Sequence, residues 1–425
     1  MQPDHKPLQD QEMTKRIGRA RPWTHAFGRD RAGAMTTRLH HLDAARAVLL
    51  LLGIPFHVAT TATMILSPGF PGFVADPAVG IGLSFIHAFR MSAFFMLAGY
   101  FAGMASQRRG RHDWLADRLR RVALPLLASV FTLGLVQYRL KVALSPAWEN
   151  GYRGVPVAFE HLWFLIVLLG YVFTYVLRPR VSRLSDQLWR PLLGLDPGTW
   201  PLALLALALW GGGVIALGIV CDLQDSEAVF EQQLLLRYLQ YLPAFALGTL
   251  AWRLRLGDTL FNYRKAWPWL VTIPLLLGHF ALDPLVRPHF GLEENPSPLL
   301  RVVDGAIAGA LAYAMSLLVF RLLAHAFDRP NRIVSFLVDG AMAIYLFHLM
   351  VAMVLVLVMA RLGWTDLPMP LLVWAGMCAV VLAGAVVCFL IVRRVPVLAT
   401  LFGAAPPPKR ARPEARNACN PPQNG

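Results

Sequence analysis

Apolar residues in this chain gather into long runs, without the every-other alternation of half-buried strands. Ten runs come near the roughly 20 residues that a helix needs to cross the hydrocarbon core of a bilayer: 41–66, 80–104, 122–144, 159–178, 199–220, 234–252, 267–283, 299–324, 338–360 and 370–392. A lipid interior satisfies no backbone N–H or C=O, so such runs close their hydrogen bonds internally, as helices. The alternating segments of an outer-membrane barrel are missing. The pattern predicts an all-α fold, a polytopic integral membrane bundle of about ten transmembrane helices, within residues 39–395. Residues 1–38 are polar and basic, and 396–425 are basic and Pro-rich; both are expected as disordered tails. The first 38 residues lack the apolar core of a signal peptide.

The runs are interrupted by ionisable residues, which are costly in lipid and therefore mark candidate function. In the first run, "LDAARAVLLLLGIPFH" carries Asp43, Arg46 and His57. At 100° per residue Arg46 and His57 are nearly eclipsed, and Asp43 lies within about 60° of both, so the three share one face over about 20 Å of helix. That face can line a path across the membrane. It can also be plainer, with Asp43 and Arg46 an ion pair at the helix mouth and His57 a hydrogen-bonding residue between helices. The second run repeats the oddity with His87 and Arg90, which could pack as an ion pair with Asp43 or Asp304. A basic stretch, "RRGRHDWLADRLRRVALP", then places Arg118 and Arg121 together at the membrane face, where they suit phosphate groups of a soluble donor.

Composition agrees with a membrane protein and charge orients it. The chain is 56% hydrophobic and only 15% charged over 425 residues. Its net charge of +15 would suit nucleic acid, but 31 of the 40 Lys and Arg lie in 1–38, after 392, and in and beside every second connection, at 105–121, 178–200, 253–266 and 321–339. The alternate connections carry Asp222, Asp225, Glu227, Glu231, Glu293 and Glu294. This is the positive-inside asymmetry of a membrane protein with both termini cytoplasmic, and it leaves no nucleic-acid partner. Cys221, Cys378, Cys388 and Cys419 show no CxxC spacing, and neither a zinc motif nor a P-loop is present, so no metal site or bound cofactor is expected.

Taken together, "LDAARAVLLLLGIPFH", "FIHAFRMSAFFMLAGYF", "DRLRRVALP", "HLWFLIVLLGYV" and "AMAIYLFHLMV" resemble the membrane-bound acyltransferase 3 family, and within it the glucans biosynthesis protein C group, which succinylates osmoregulated periplasmic glucans. The resemblance is strongest over 38–170. It implies an acyltransferase of the bacterial inner membrane that uses acyl-CoA, with succinyl-CoA as the co-substrate, and a periplasmic glucan or other glycan as acceptor, with the glucan synthesis machinery as a further partner. It makes Arg46 and His57 the essential pair, gives Asp43 the acidic position, and assigns Arg118 and Arg121 to donor use. His87 and Arg90 match the glucan subgroup; His161, Trp163 and His348 match motif positions tied to acceptor or structure. Two positions depart: Ala98 stands where the family has a serine, and Met350 where it has a proline after the late histidine.

The chemistry follows from these residues. A neutral His57 can accept the proton of a sugar hydroxyl attacking a thioester, or can itself carry the acyl group. Arg46 or Arg90 can stabilise developing negative charge or hold a succinyl carboxylate. Trp148, Tyr152, Phe159 and Trp163 surround one outer connection and serve equally as sugar platforms or as an interfacial aromatic belt. Rival readings are an O-acetyltransferase of another envelope polysaccharide or lipid-linked sugar, a secondary transporter, and a non-catalytic glucan escort. Concentration of polar residues in the first four spans, without paired broken helices, favours the enzyme.

Overall fold

The computed structural model describes residues 41–62, 74–108, 111–144, 161–177, 182–221, 230–283, 286–287, 296–327, 329, 331–364 and 368–404. Each of the ten expected spans is mainly helical over its described residues. In chain order the helices are α1 His41–Ala62, α2 Pro77–Arg108, α3 Asp113–Leu144, α4 Trp163–Leu177, α5 Arg183–Trp189, α6 Trp200–Val220, α7 Phe230–Arg253, α8 Gly257–Phe261, α9 Trp267–Leu282, α10 Pro298–Ala326, α11 Arg332–Arg361, α12 Leu371–Val392 and α13 Pro396–Leu401. Seven of them (α1, α2, α3, α6, α10, α11 and α12) are long and apolar enough to cross a membrane. α4 and α9 are shorter apolar helices, and α7 carries Arg237 and an internal Pro243.

Two helix pairs come together through glycine. A Cβ on Gly99 of α2 would stand 2.1 Å from the Phe245 carbonyl of α7, and one on Gly248 of α7 would stand 1.9 Å from that of Met96. α6 and α10 meet in the same way at Gly211, Gly305 and Gly309. Such approach is the usual packing device in lipid, where burying apolar surface between helices gains little over lipid itself. α11 packs along α12 and α1. Trp374 of α12 also donates from Nε1 to the Pro55 carbonyl of α1 at 3.0 Å, steadying α1 two residues before His57.

Proline adds a second anchor. Pro243 cannot donate to the carbonyl four residues earlier, that of Leu239. The Trp210 indole of α6 fills the vacancy, donating to Leu239 at 2.8 Å. Among the described residues the strands β1 Val74–Ala75 and β2 Pro368–Met369 pair in parallel, tying the segment after α1 to the one after α11.

The structure moves two expected boundaries. α2 runs 32 residues, about 48 Å, beyond the expected 80–104 at both ends. The expected tail from 396 begins instead with α13, whose following Phe402 is 7% exposed and packs on Phe347 with ring centroids 5.0 Å apart. A Pro-rich composition hid those few apolar residues. Residues 1–40 and 405–425 lie outside the described residues.

Candidate active site

The three-residue stripe of α1 divides between two environments. Arg46 Nη2 stands 3.8 Å from Asp43 Oδ1, with both side chains 42% exposed, and its guanidinium lies 5.8 Å from the Phe101 ring centroid. His57 lies eleven residues and about 16 Å further along the axis. Its ring is 5.1 Å from that of His348 in α11 and 6.2 Å from that of His161 just before α4. The His161 and His348 rings are 5.7 Å apart. Three helical segments thus deliver three imidazoles to one place.

Tyr345 locks this cluster. One turn before His348, it donates from its hydroxyl to the His161 carbonyl at 2.6 Å, joining the start of α4 to α11. His348 donates from Nδ1 to the Tyr345 carbonyl. In a neutral ring that bond sets the tautomer and leaves Nε2 with its lone pair. His161 and His348 are fully buried, whereas His57 keeps accessible surface.

α2 brings a cation to the same place. His87 stacks on Phe56 at 5.2 Å with a 20° interplanar angle, and the Arg90 guanidinium lies 5.3 Å from the same ring centroid. Arg90 is only 5% exposed, and its buried Nε and Nη1 have no hydrogen-bond partner. Gly53, one turn before His57, makes room for it: a Cβ there would stand 2.9 Å from Arg90 Nη1 and 3.2 Å from Tyr345 Cε2. The expected ion pair of this group with Asp43 or Asp304 does not form. Asp43 faces Arg46, and α10 turns Asp304 towards α9, where it lies 2.8 Å from His279 Nδ1. A buried cation left without a carboxylate costs several kcal/mol. Its position suits an anionic ligand group.

The remaining expected residues are spread out. Arg118 caps a π-helical turn, Leu119–Ala123, near the start of α3, and Arg121 lies within it. Both lean on Asp117: Arg121 Nε donates to its Oδ1 at 2.8 Å, and Arg118 Nη2 is 4.0 Å from its Oδ2. They form a basic edge, with Arg121 exposed and Arg118 partly buried, remote in sequence from the histidines. Trp163 has Arg237 4.6 Å over its ring and Tyr241 stacked at 5.7 Å, so its ring is already engaged in packing. Trp148, with Tyr152 and Phe159, lies outside the described residues. Among the described residues no group of three His, Cys, Asp or Glu is placed to hold a metal.

Sequence reasoning missed Arg237 of α7 and His279 with Asp283 of α9, having placed the polar chemistry in the first four spans. The signal was present, since all three are ionisable residues inside or at the edge of apolar runs. An acyltransferase 3 family model, described as an acyltransferase domain, matches residues 39–392. The chain belongs to this family. It is thus a multi-pass membrane protein that carries an acyltransferase domain. It is similar to Glucans biosynthesis protein C of Escherichia coli (strain SMS-3-5 / SECEC), 35% identical over 143 residues, which cover 31% of this chain and 36% of that protein. The proteins of the same name from Salmonella typhi (35% over 144 residues) and Salmonella paratyphi B (36% over 143 residues) match with the same coverage. The match thus spans about a third of the length of these relatives. No solved structure matches the chain.

Proposed function

We propose that the protein is an inner-membrane O-acyltransferase that moves a succinyl group from cytoplasmic succinyl-CoA to hydroxyls of a periplasmic glucan, with His57 as general base. The observation that carries this reading is the placement of Arg90, buried and without an ion pair among the described residues, beside the partly exposed His57. A dicarboxylic acyl group supplies the missing anion, whereas an acetyl group does not. The basic edge at Arg118 and Arg121 suits the donor's phosphates, and Arg46 at the same end of α1 suits its passage into the bundle.

The hydroxyl oxygen attacks the thioester carbonyl carbon while His57 takes its proton. The C–S bond breaks, an ester C–O bond stands in its place, and the imidazolium returns the proton to the leaving thiolate. His348 and His161 wall the site and hold His57 in position. The relatives' name supports glucan as the acceptor class, and the basic connections support cytoplasmic termini.

Mass spectrometry of periplasmic glucan tests the reading in cells lacking this gene and complemented with wild type or with His57→Ala. Succinyl mass increments are expected with wild type only, at equal membrane abundance of the two proteins. Full modification by the variant would remove His57 from the mechanism, and an acetyl increment would replace the donor.

A further inference from the structure

Beside the histidine cluster, α2, α6, α7, α9 and α10 enclose a cavity of about 350 Å³, within the size range of small-molecule sites. His87, Gln240, His279, Asp283 and Asp304 supply its polar lining and Trp210 an aromatic one. These groups are held in place. Asp304 lies 2.8 Å from His279 Nδ1, Asp283 lies 3.4 Å from Nε2, and Ser84 donates to Asp283. His279 is 6% exposed, yet no hydrogen bond reaches its Nε2. Trp210 is fixed by the carbonyl that Pro243 leaves open. Gln240 is exposed at the mouth.

Charge distinguishes this cavity from the Arg90 site. His87 stands between them, stacked on Phe56 next to His57 and lining the cavity as well. It feels Arg90 and Arg237 together with Asp283 and His279. On the Arg90 side, two guanidiniums lie over aromatic rings and, among the described residues, neither has an ion pair. In the cavity, two carboxyl groups flank one imidazole, and no Arg or Lys is among the lining residues. An anionic donor finds no guanidinium partner there of the Arg90 kind. A neutral polyol is suited, because carboxylates, an amide and an imidazole match sugar hydroxyls while an indole covers an apolar sugar face.

We infer that this cavity binds a neutral sugar unit of the acceptor and presents its hydroxyl past His87 to His57. The inference rests on the acyl-transfer reading, and the test separates the two. The full chain in lipid nanodiscs is assayed with succinyl-CoA and alkali-deacylated periplasmic glucan, comparing wild type, Asp304→Asn and Gln240→Ala. Gln240 is exposed, so its replacement leaves the fold intact. Each variant is expected to raise the KM for glucan about fivefold or more, the value of one lost hydrogen bond, with the KM for succinyl-CoA held within about twofold. An unchanged glucan KM in both variants, or a rise confined to succinyl-CoA, overturns the inference while the acyl-transfer reading stands. If wild type transfers no succinyl group, calorimetric titration with the same glucan decides. Binding that both variants weaken about fivefold upholds the cavity and removes the acyl-transfer reading, and no binding by wild type overturns the inference.

Discussion

Two arginines near α1 sit in opposite circumstances. Arg46 is 3.8 Å from a carboxylate, with its side chain 42% exposed; Arg90 is 5% exposed with two nitrogens lacking any hydrogen-bond partner. Water and Asp43 already stabilise the first charge, so its removal costs little folding energy. Among the described residues no carboxylate pairs with the second, and the proposed function gives that place to the acyl group's carboxylate. On the proposed function, the contrast separates a charge that lines the donor's entrance from one that holds the acyl group.

Removing the buried charge sharpens the contrast most. Arg90→Met is expected to lower succinyl transfer by about 10–100-fold, the value of a charge-assisted hydrogen bond, while stability stays the same or rises. The comparison is kcat/KM for succinyl-CoA in nanodiscs; equal activity of the variant would make Arg90 a structural cation. Arg46→Ala is expected to act more weakly, raising the KM for donor with little change in kcat. Gly53→Ala tests whether the position of Arg90 matters and not only its presence. Its Cβ meets Nη1 at 2.9 Å, so a several-fold loss of transfer is expected without loss of membrane abundance on immunoblots. Arg121→Gln, on the exposed edge, should raise the KM for succinyl-CoA only a few-fold, and added salt should erase the difference from wild type.

The smallest effect is expected where a charge is both exposed and paired. Between α5 and α6, Arg190 Nε donates to Asp196 at 2.7 Å, and this hydrogen bond holds the Asp196 carboxyl below the usual carboxylate range. A lowered value gives stability that is present above the ordinary carboxylate pKa and is lost as pH falls through the lowered one. With both side chains more than a third exposed, the pair contributes at most about 1 kcal/mol. Asp196→Asn should therefore shift thermal unfolding by a degree or two near neutral pH and not at all in strong acid.

The helices were legible because lipid forces a simple rule, about 20 apolar residues per crossing. The candidate residues were legible for the same reason, since His57, His87, Arg90, His161 and His348 are all expensive in an apolar run. Which of them meet was not. His161 and His348 sit far apart in the chain, and only the Tyr345 hydroxyl bond and the packing of α11 bring them to His57. Charge counting also offered the Arg90 group Asp304, as an alternative to Asp43. It cannot tell which neighbour a helix will face, and α10 turned that carboxylate to His279. α13 was hidden by a Pro-rich composition whose few apolar residues pack only in the folded bundle.

The most direct measurement is incorporation of radiolabelled succinyl from succinyl-CoA into deacylated glucan by the full chain in nanodiscs, wild type against His57→Gln. The account predicts label in glucan with wild type and a loss of about 100-fold or more in the variant, the usual worth of a general base, at equal folding and donor binding. Equal labelling by both would contradict it and move the chemistry away from His57.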